Sequence, residues 1–389
     1  MHIMTLADTR SQPHRPQALS AEALAMQPIA GEHWDETIAQ FDGAVQEQLY
    51  RFAKARWPGT QPQAWLFAND GAVVGGVLVL LQPLPLRLGQ IAVVKWGPVL
   101  ADATRPDAQA LYQAMIEALV GEYARKRGMM LSVLPRAAVT PVNTQFEHLL
   151  ARGFKAGSQL LFPNRYLVRL GLSDADQRKS FEQKWRYHLN KADKAGLSFA
   201  HAPASALPEF TRLYQAMTDR KKFPDHSAFD SIETLMTTPV DGLRPQLFFV
   251  REGEETVAGA IVFTAGDTAV YLYGATNERA LPLRAGYFLH RHIISWLRDN
   301  TDAQWYDLGG TDGFQGLHQF KKGMVGSAGV IAPVPPVANF AARPLPFLLG
   351  TGAFAARDAL HGALRWIDRH RPDRAKPDQE QGGARGIAS

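Results

Sequence analysis

The chain contains no cysteine. Disulfide bonds, thiolate nucleophiles and thiolate metal ligands are thereby excluded, and a reducing compartment is compatible with the composition. It also lacks a long unbroken apolar run. The most apolar window, Gly71 to Val94, is interrupted by glycines, by Pro83 and Pro85 and by Arg87. A membrane span needs about 20 consecutive apolar residues, so this window reads as paired strands and no transmembrane span is expected. Neither sign of charge dominates. Lys and Arg number 42 against 37 Asp and Glu, a formal net charge of +5. The pI of about 9.3 biases the chain mildly toward anionic partners such as phosphate, nucleic acid or an anionic membrane surface. Met1 to Ala21 has no apolar core and does not read as a signal peptide; residues 1–21 are expected to be a disordered leader.

At 389 residues with 46% hydrophobic content, the chain exceeds one ordinary core, and two domains are expected. The stretch from Thr268 to Gly326 organises it. Ala269 to Gly274 is a strand of β-branched and aromatic residues. Pro282 sits where a helix can start, and Leu289, Ile293, Trp296 and Leu297 form one apolar stripe running to a stop at Asn300. Trp305 to Leu308 is a second strand, ended by Gly309-Gly310. Gly316 to Gly323 follows as a basic segment. A strand, helix, strand order implies a right-handed crossover in a mostly buried sheet.

Upstream, Trp34 to Trp57 reads as a helix. Ala64 to Ala68 and Ala72 to Leu81 read as strands joined by a tight turn at Asn69-Asp70-Gly71. Leu86-Arg87-Leu88 is a candidate short strand, Ile91 to Trp96 another. Asp107 to Arg127 is helical, Met129 to Leu134 a strand, and a further strand lies within Gln159 to Leu170. Ser173 caps a helix, Asp174 to Ala195, whose apolar stripe of Phe181, Trp185, Leu189 and Ala192 opposes a basic face of Arg178, Lys179, Lys184, Arg186, Lys191 and Lys194. That face either tracks a nucleic-acid backbone or is a solvated surface. Helices at Pro208 to Lys222 and Asp230 to Thr237 precede a hairpin of Gln246 to Arg251 with Thr256 to Thr264.

The halves repeat weakly. Leu66 to Gly71 matches Phe248 to Gly253, and Gly75 to Val79 matches Ala258 to Val262. The hairpin glycines Gly71 and Gly253 lie one domain length apart, which points to two copies of one α/β unit.

Helix, hairpin, helix, strand in each half resembles the GNAT acyltransferase fold, and the tandem copy resembles the Fem-type aminoacyltransferases, the peptidoglycan-bridge and lipid II glycyltransferase family. Three groups carry the resemblance: Trp185 to Gly196; Leu213-Tyr214 with Arg220 and Phe223; and Tyr271 to Ala275 with Tyr306 to Gly310 and Gly316 to Gly323. It spans about residues 43–326. There is no room between Gly196 and Pro208 for the coiled-coil arm of some family members. The resemblance implies an α/β (α+β) chain of two tandem GNAT-like acyltransferase domains, each a mixed twisted sheet flanked by helices. Residues 22–172 form the first, 173–326 the second, and 327–389 a Pro/Ala-rich tail with an amphipathic helix and a disordered end.

It further implies transfer of an aminoacyl or acyl group onto an amine of a cell-envelope precursor, of peptidoglycan or polysaccharide, with aminoacyl-tRNA as co-substrate and no bound cofactor. Acyl-CoA is the alternative donor, although Arg279 to Gly286 lacks the usual glycine spacing of a pyrophosphate loop. A non-catalytic binding scaffold is the other alternative. The expected location is cytoplasmic, with peripheral contact at the inner membrane face through the tail helix.

Three residues are candidates for the chemistry. Lys321, at the family's Phe-Lys position, would hold a phosphate or a developing oxyanion; an exposed lysine pairing a helix end is the alternative. Tyr273 would orient substrate, strand alternation placing it on one face with Tyr271 and opposite Leu272; a core tyrosine is equally compatible. Asp307 is a candidate base or a turn cap. Candidates for substrate binding are Arg220, Tyr271, Lys322 and Arg284. His290 and His292 do not share a helix face, and no set of metal ligands emerges.

Overall fold

The structure is a computed structural model and describes residues 24–221, 229–311 and 313–370. The leader at 1–21, Lys222, Phe223 and the end of the tail lie outside the described residues. In chain order the first part runs β1 (Leu24–Ile29), α1 (Gly31–Ile38), α2 (Tyr50–Arg56), β2 (Gln61–Asn69), β3 (Ala72–Pro83), β4 (Gln90–Lys95), β5 (Val99–Leu100), α3 (Ala108–Leu119), β6 (Met130–Leu134), α4 (Thr144–Ala151) and β7 (Lys155–Ala156). The second runs β8 (Asn164–Arg169), α5 (Asp174–Ser180), α6 (Gln183–Ala192), β9 (Leu197–Ala202), α7 (Leu207–Lys221), α8 (Ile232–Met236), β10 (Gln246–Glu252), β11 (Glu255–Phe263), β12 (Thr268–Thr276), α9 (Ala280–Leu283), α10 (Ala285–Asn300), β13 (Trp305–Asp307) and α11 (Gln315–Val325). Then come β14 (Val330–Pro333), β15 (Ala338–Phe340) and α12 (Pro344–His370).

Two mixed sheets result. One has the order β1-β2-β3-β4-β6-β15-β7, with β5 on β3; the other has β14-β8-β13-β12-β11-β10-β9. The expected hairpins are their counterparts. Asn69 pairs Ala72 around Asp70 and Gly71, both at positive φ, as a two-residue turn of the hairpin hand requires. Glu252 pairs Glu255 in the second copy. The parallel pairs β4 with β6 and β12 with β13 flank the crossover helices.

Several local expectations are corrected. The helix expected over Trp34 to Trp57 is two helices, because the loop between them hydrogen-bonds to the β5 region through Asp42 and Gly43 N–H. Leu86-Arg87-Leu88 is not a strand: Leu86 and Arg87 are left-handed within a single turn at Pro85–Arg87. The basic helix breaks at Phe181, whose ψ of 148° is extended. Pro282 lies inside the short α9, and left-handed Arg284 separates it from α10.

The partition between sheets also departs from the expected sequence bounds. β8 lies before residue 173, yet pairs with β13 and β14 in the second sheet. The segment beyond 326 is not merely a tail: β14 completes the second sheet, and β15 returns to pair β6 and β7 in the first. Each lobe takes a strand from the other side of the expected boundary, since edge backbone groups need partners from wherever the chain supplies them.

Candidate active site

β12 pairs with β13 only at Thr268 to Val270 but continues to Thr276. β13 turns away at Leu308, and Gly309, at φ +74°, makes the turn without Cβ strain. The sheet therefore opens next to Tyr271. On its other edge, β12 slips register against β11: Ile261 faces Tyr273 and Val262 faces Tyr271, which leaves Leu272 as the extra residue of a bulge. A bulge re-aims the side chains that follow it. Val262 belongs to the core under α10 and Ile261 to the core under α7. Tyr271 accordingly lies 4.9 Å from the His290 ring on α10, and Tyr273 packs 5.2 Å from Phe229 and 6.2 Å from Tyr214 on α7. The expectation that Tyr271 and Tyr273 share a face is corrected, because simple alternation does not survive a bulge.

Lys321 is buried, not an exposed lysine at a helix end. It reaches from α11 to the end of β13, where Nζ donates to the Leu308 carbonyl at 2.5 Å and to the Gly310 carbonyl. It also lies 6.0 Å from the Tyr271 ring centre. Burial and the Lys321 charge push the His290 imidazole down to about 3, so it is neutral and shares a 3.1 Å hydrogen bond with the Tyr306 hydroxyl. Gly274 is required here: a Cβ would sit 1.5 Å from the Tyr271 hydroxyl oxygen.

Asp307 is committed to structure. Its carboxylate is 2.8 Å from the Arg165 guanidinium and accepts the Gly309 N–H at 2.9 Å, the turn-cap arrangement. Arg165 also stacks 4.9 Å from the Trp96 ring of the first lobe, which ties the lobes together. Nearby Glu47 has its carboxyl raised by burial, against the pull of Lys95 and Arg165.

On the α10 face, α6, α10 and α11 enclose a cavity of about 520 Å³ lined by Glu182, Lys184, Trp185, His188, Tyr287 and Phe320, with Lys322 at its rim. The Tyr287 ring is 5.2 Å from Trp185, 5.0 Å from His188 and 4.9 Å from Phe320. Trp185 Nε1 and His188 Nδ1 are buried and, among the described residues, have no hydrogen-bond partner. Buried polar atoms are normally satisfied, so these two nitrogens are the polar points behind an otherwise aromatic wall. Arg284 is close enough to help hold His188 below the ordinary histidine value, after burial, together with Lys184 and Lys191.

The seven residues singled out from sequence thus divide. Lys322 lines the cavity beside Phe320, and Lys321 between them turns inward to the sheet opening with Tyr271. Arg284 stands beside the cavity. Tyr273 and Arg220 lie on the α7 face, where Arg220 donates to the Thr276 carbonyl at 3.1 Å. Asp307 faces Arg165. Sequence reading missed His188 and Tyr287. The signal was Trp185 and His188 at a spacing of three on a basic helix, which the apolar stripe obscured. Part of the expected basic face is used internally: Arg178 pairs Asp193 at 2.8 Å, and Arg186 donates to the Lys179 and Phe181 carbonyls.

A mixed sheet whose central parallel pair splays, one of its two strands bulged, with a helix crossing between, is the arrangement of the GNAT fold, here present with a second mixed sheet. Sequence comparison matches the FemAB family over residues 66–229 and the acetyltransferase (GNAT) domain over residues 177–322. A search of curated proteins found no match. Among solved structures, the crystal structure of FemX aligns with a TM-score of 0.67 at 16% identity, covering 83% of this chain and 98% of that one. L-PGS from Bacillus licheniformis aligns at 0.52 and 14% identity, covering 84% and 97%. The C-terminal domain of a putative lysylphosphatidylglycerol synthetase from Agrobacterium fabrum aligns at 0.51 and 14%, covering 83% and 95%. At such identities the structures bear on fold. Together with the sequence matches, they give this chain a fold of two tandem GNAT-like units and make it similar to the FemAB family.

Proposed function

We propose that the protein transfers an aminoacyl group from an aminoacyl-tRNA to an amine of a cell-envelope precursor, of peptidoglycan or polysaccharide. The observation that carries this reading is the aromatic cavity beside the sheet opening. The aromatic lining of Trp185, Tyr287 and Phe320 suits the base of the donor's terminal nucleoside, since aromatic side chains hold bases through their faces. Lys184, Arg284 and Lys322 suit its phosphates. The acceptor approaches from the α7 face, where Arg220 presents a cation and Tyr214 and Tyr273 a wall. The opening beyond Val270 joins the two faces.

An aminoacyl ester is already activated, so the neutral amine attacks its carbonyl carbon directly; the C–N bond forms, the C–O bond to the tRNA ribose breaks, the amine's proton ends on the released ribose hydroxyl, and no covalent intermediate on the protein is required. Holding donor and acceptor on opposite faces of one strand supplies much of the rate. The Lys321 ammonium, removed from water beside Tyr271, favours the negative charge that develops on the carbonyl oxygen. No bound cofactor enters this scheme. The donor places the protein on the cytoplasmic side; among the described residues no helix is long and apolar enough to cross a membrane.

The test is mass spectrometry of envelope precursors from cells with and without the protein, followed by transfer in vitro from charged tRNA. An aminoacyl mass that disappears with the protein, and returns with charged tRNA, supports the reading. Transfer from acyl-CoA with none from charged tRNA would replace tRNA by CoA in the same cavity.

A further inference from the structure

The first lobe presents an apolar surface away from the cavity. The connection between β3 and β4 closes through Leu84 N–H to the Gly89 carbonyl at 2.9 Å. At its tip Leu86 and Arg87 are consecutively left-handed, at φ 55° and 58°. Two adjacent non-glycine residues in that region are strained, and such strain concentrates at working sites. Here it holds Leu86 90% exposed and Leu88 52% exposed. The base of the loop, Leu84, packs in one small cluster with Ile91, Met130 and, from α12, Phe347, Leu349 and Phe354. The opposite side of α12 exposes Leu345 at 65% and Leu348 at 66%, followed by Gly352, Ala355, Ala356 and Ala359. Between Pro344 and Leu360 its only charges are Arg357 and Asp358, which pair with each other at 2.7 Å. A helix apolar on both its inner and outer sides is built to be covered.

We propose that this loop and the outer face of α12 seat the protein on an anionic lipid surface. Leu86, Leu88, Leu345 and Leu348 enter the boundary between headgroups and acyl chains, and Arg87 and Arg343 lie on headgroup phosphates. Charge complementarity selects this occupant. Both arginines are exposed, neither makes an ion pair among the described residues, and the chain as a whole carries +5. A projecting strained tip beside an apolar helix inserts into a soft interface, where helices of this kind bind by buried apolar area plus attraction to anionic lipid.

The inference stands apart from the transfer reading, because it is tested without either substrate. Full-length protein is floated with vesicles of phosphatidylcholine alone or containing roughly 30% phosphatidylglycerol, as an anionic leaflet would. Binding to the anionic vesicles, weakened by salt, is expected. Leu86→Asp with Leu348→Asp should reduce it by about tenfold or more, and Arg87→Glu with Arg343→Glu should remove the preference for anionic lipid, with melting temperatures unchanged in the arginine pair. Absence of wild-type binding overturns the proposal. So does equal binding of both double variants. A wild-type dimer by light scattering that Leu348→Asp separates would assign the face to a second copy and overturn it as well.

Discussion

Lys321 Nζ lies 2.5 Å from the Leu308 carbonyl oxygen, so the cation of the Phe320-Lys321 segment is also the clasp on the turn that opens the sheet. Lys321→Met should lower kcat about 100-fold or more, the scale for removing one preorganised electrostatic group. It should also cost about 1–3 kcal/mol in stability by leaving buried carbonyls without their donor. Transfer assays paired with thermal unfolding check this. Undiminished turnover in a folded variant would remove Lys321 from the chemistry.

Gly274 and Tyr271 form a testable pair. Gly274→Ala places a methyl where the Tyr271 hydroxyl lies and should destabilise by about 1–3 kcal/mol, the usual range for overpacking. Adding Tyr271→Phe removes the nearest atom and should recover part of that loss. A double-mutant cycle with no coupling would mean the contact is relieved in solution.

The pairing of Asp307 with Arg165 predicts a structural phenotype. Asp307→Asn should lose about 2–4 kcal/mol, as expected when a mostly buried ion pair loses one charge. The shape of its pH–rate profile should stay that of the wild type. Loss of the acidic limb in a variant of normal stability would restore Asp307 as a base.

Donor binding should depend on the cavity. His188→Ala and Lys322→Glu are expected to raise KM for the donor by about tenfold, in line with about 1–3 kcal/mol for a stacked base, with little change in KM for the acceptor. An equal rise for both substrates would place the donor elsewhere.

Asp35 predicts a pH dependence of stability. It accepts the Tyr50 and Arg51 N–H groups at the start of α2, yet burial raises its carboxyl from 3.8 to about 6. The folded state therefore holds this proton more tightly than the unfolded chain. The stabilisation is full below about pH 4 and lost as pH rises through about 6. Its size is on the order of 3 kcal/mol, because a tenfold change in proton affinity is worth about 1.4 kcal/mol. Urea titrations of the wild type and Asp35→Asn from pH 4 to 7 check it: the decline should be confined to the wild type.

Local structure was written in single segments of the chain. Asn69-Asp70-Gly71 specified a hairpin because Asp70 and Gly71 tolerate positive φ, and the spacing of Leu289, Ile293 and Leu297 gave α10 its buried stripe. These signals repeat within each half, so the tandem architecture was legible too. Tertiary structure decided what depends on partners distant in the chain. The bulge at Leu272 exists only in register with β11, and it sends Tyr271 and Tyr273 to opposite faces. β8 and β15 find their sheets by completing edges. Lys321 becomes buried because α11 docks over the end of β13, and the cavity exists because Trp185, Tyr287 and Phe320, far apart in sequence, meet there. A single segment encodes its own backbone preference, but the surface that receives each side chain is made by the rest of the fold.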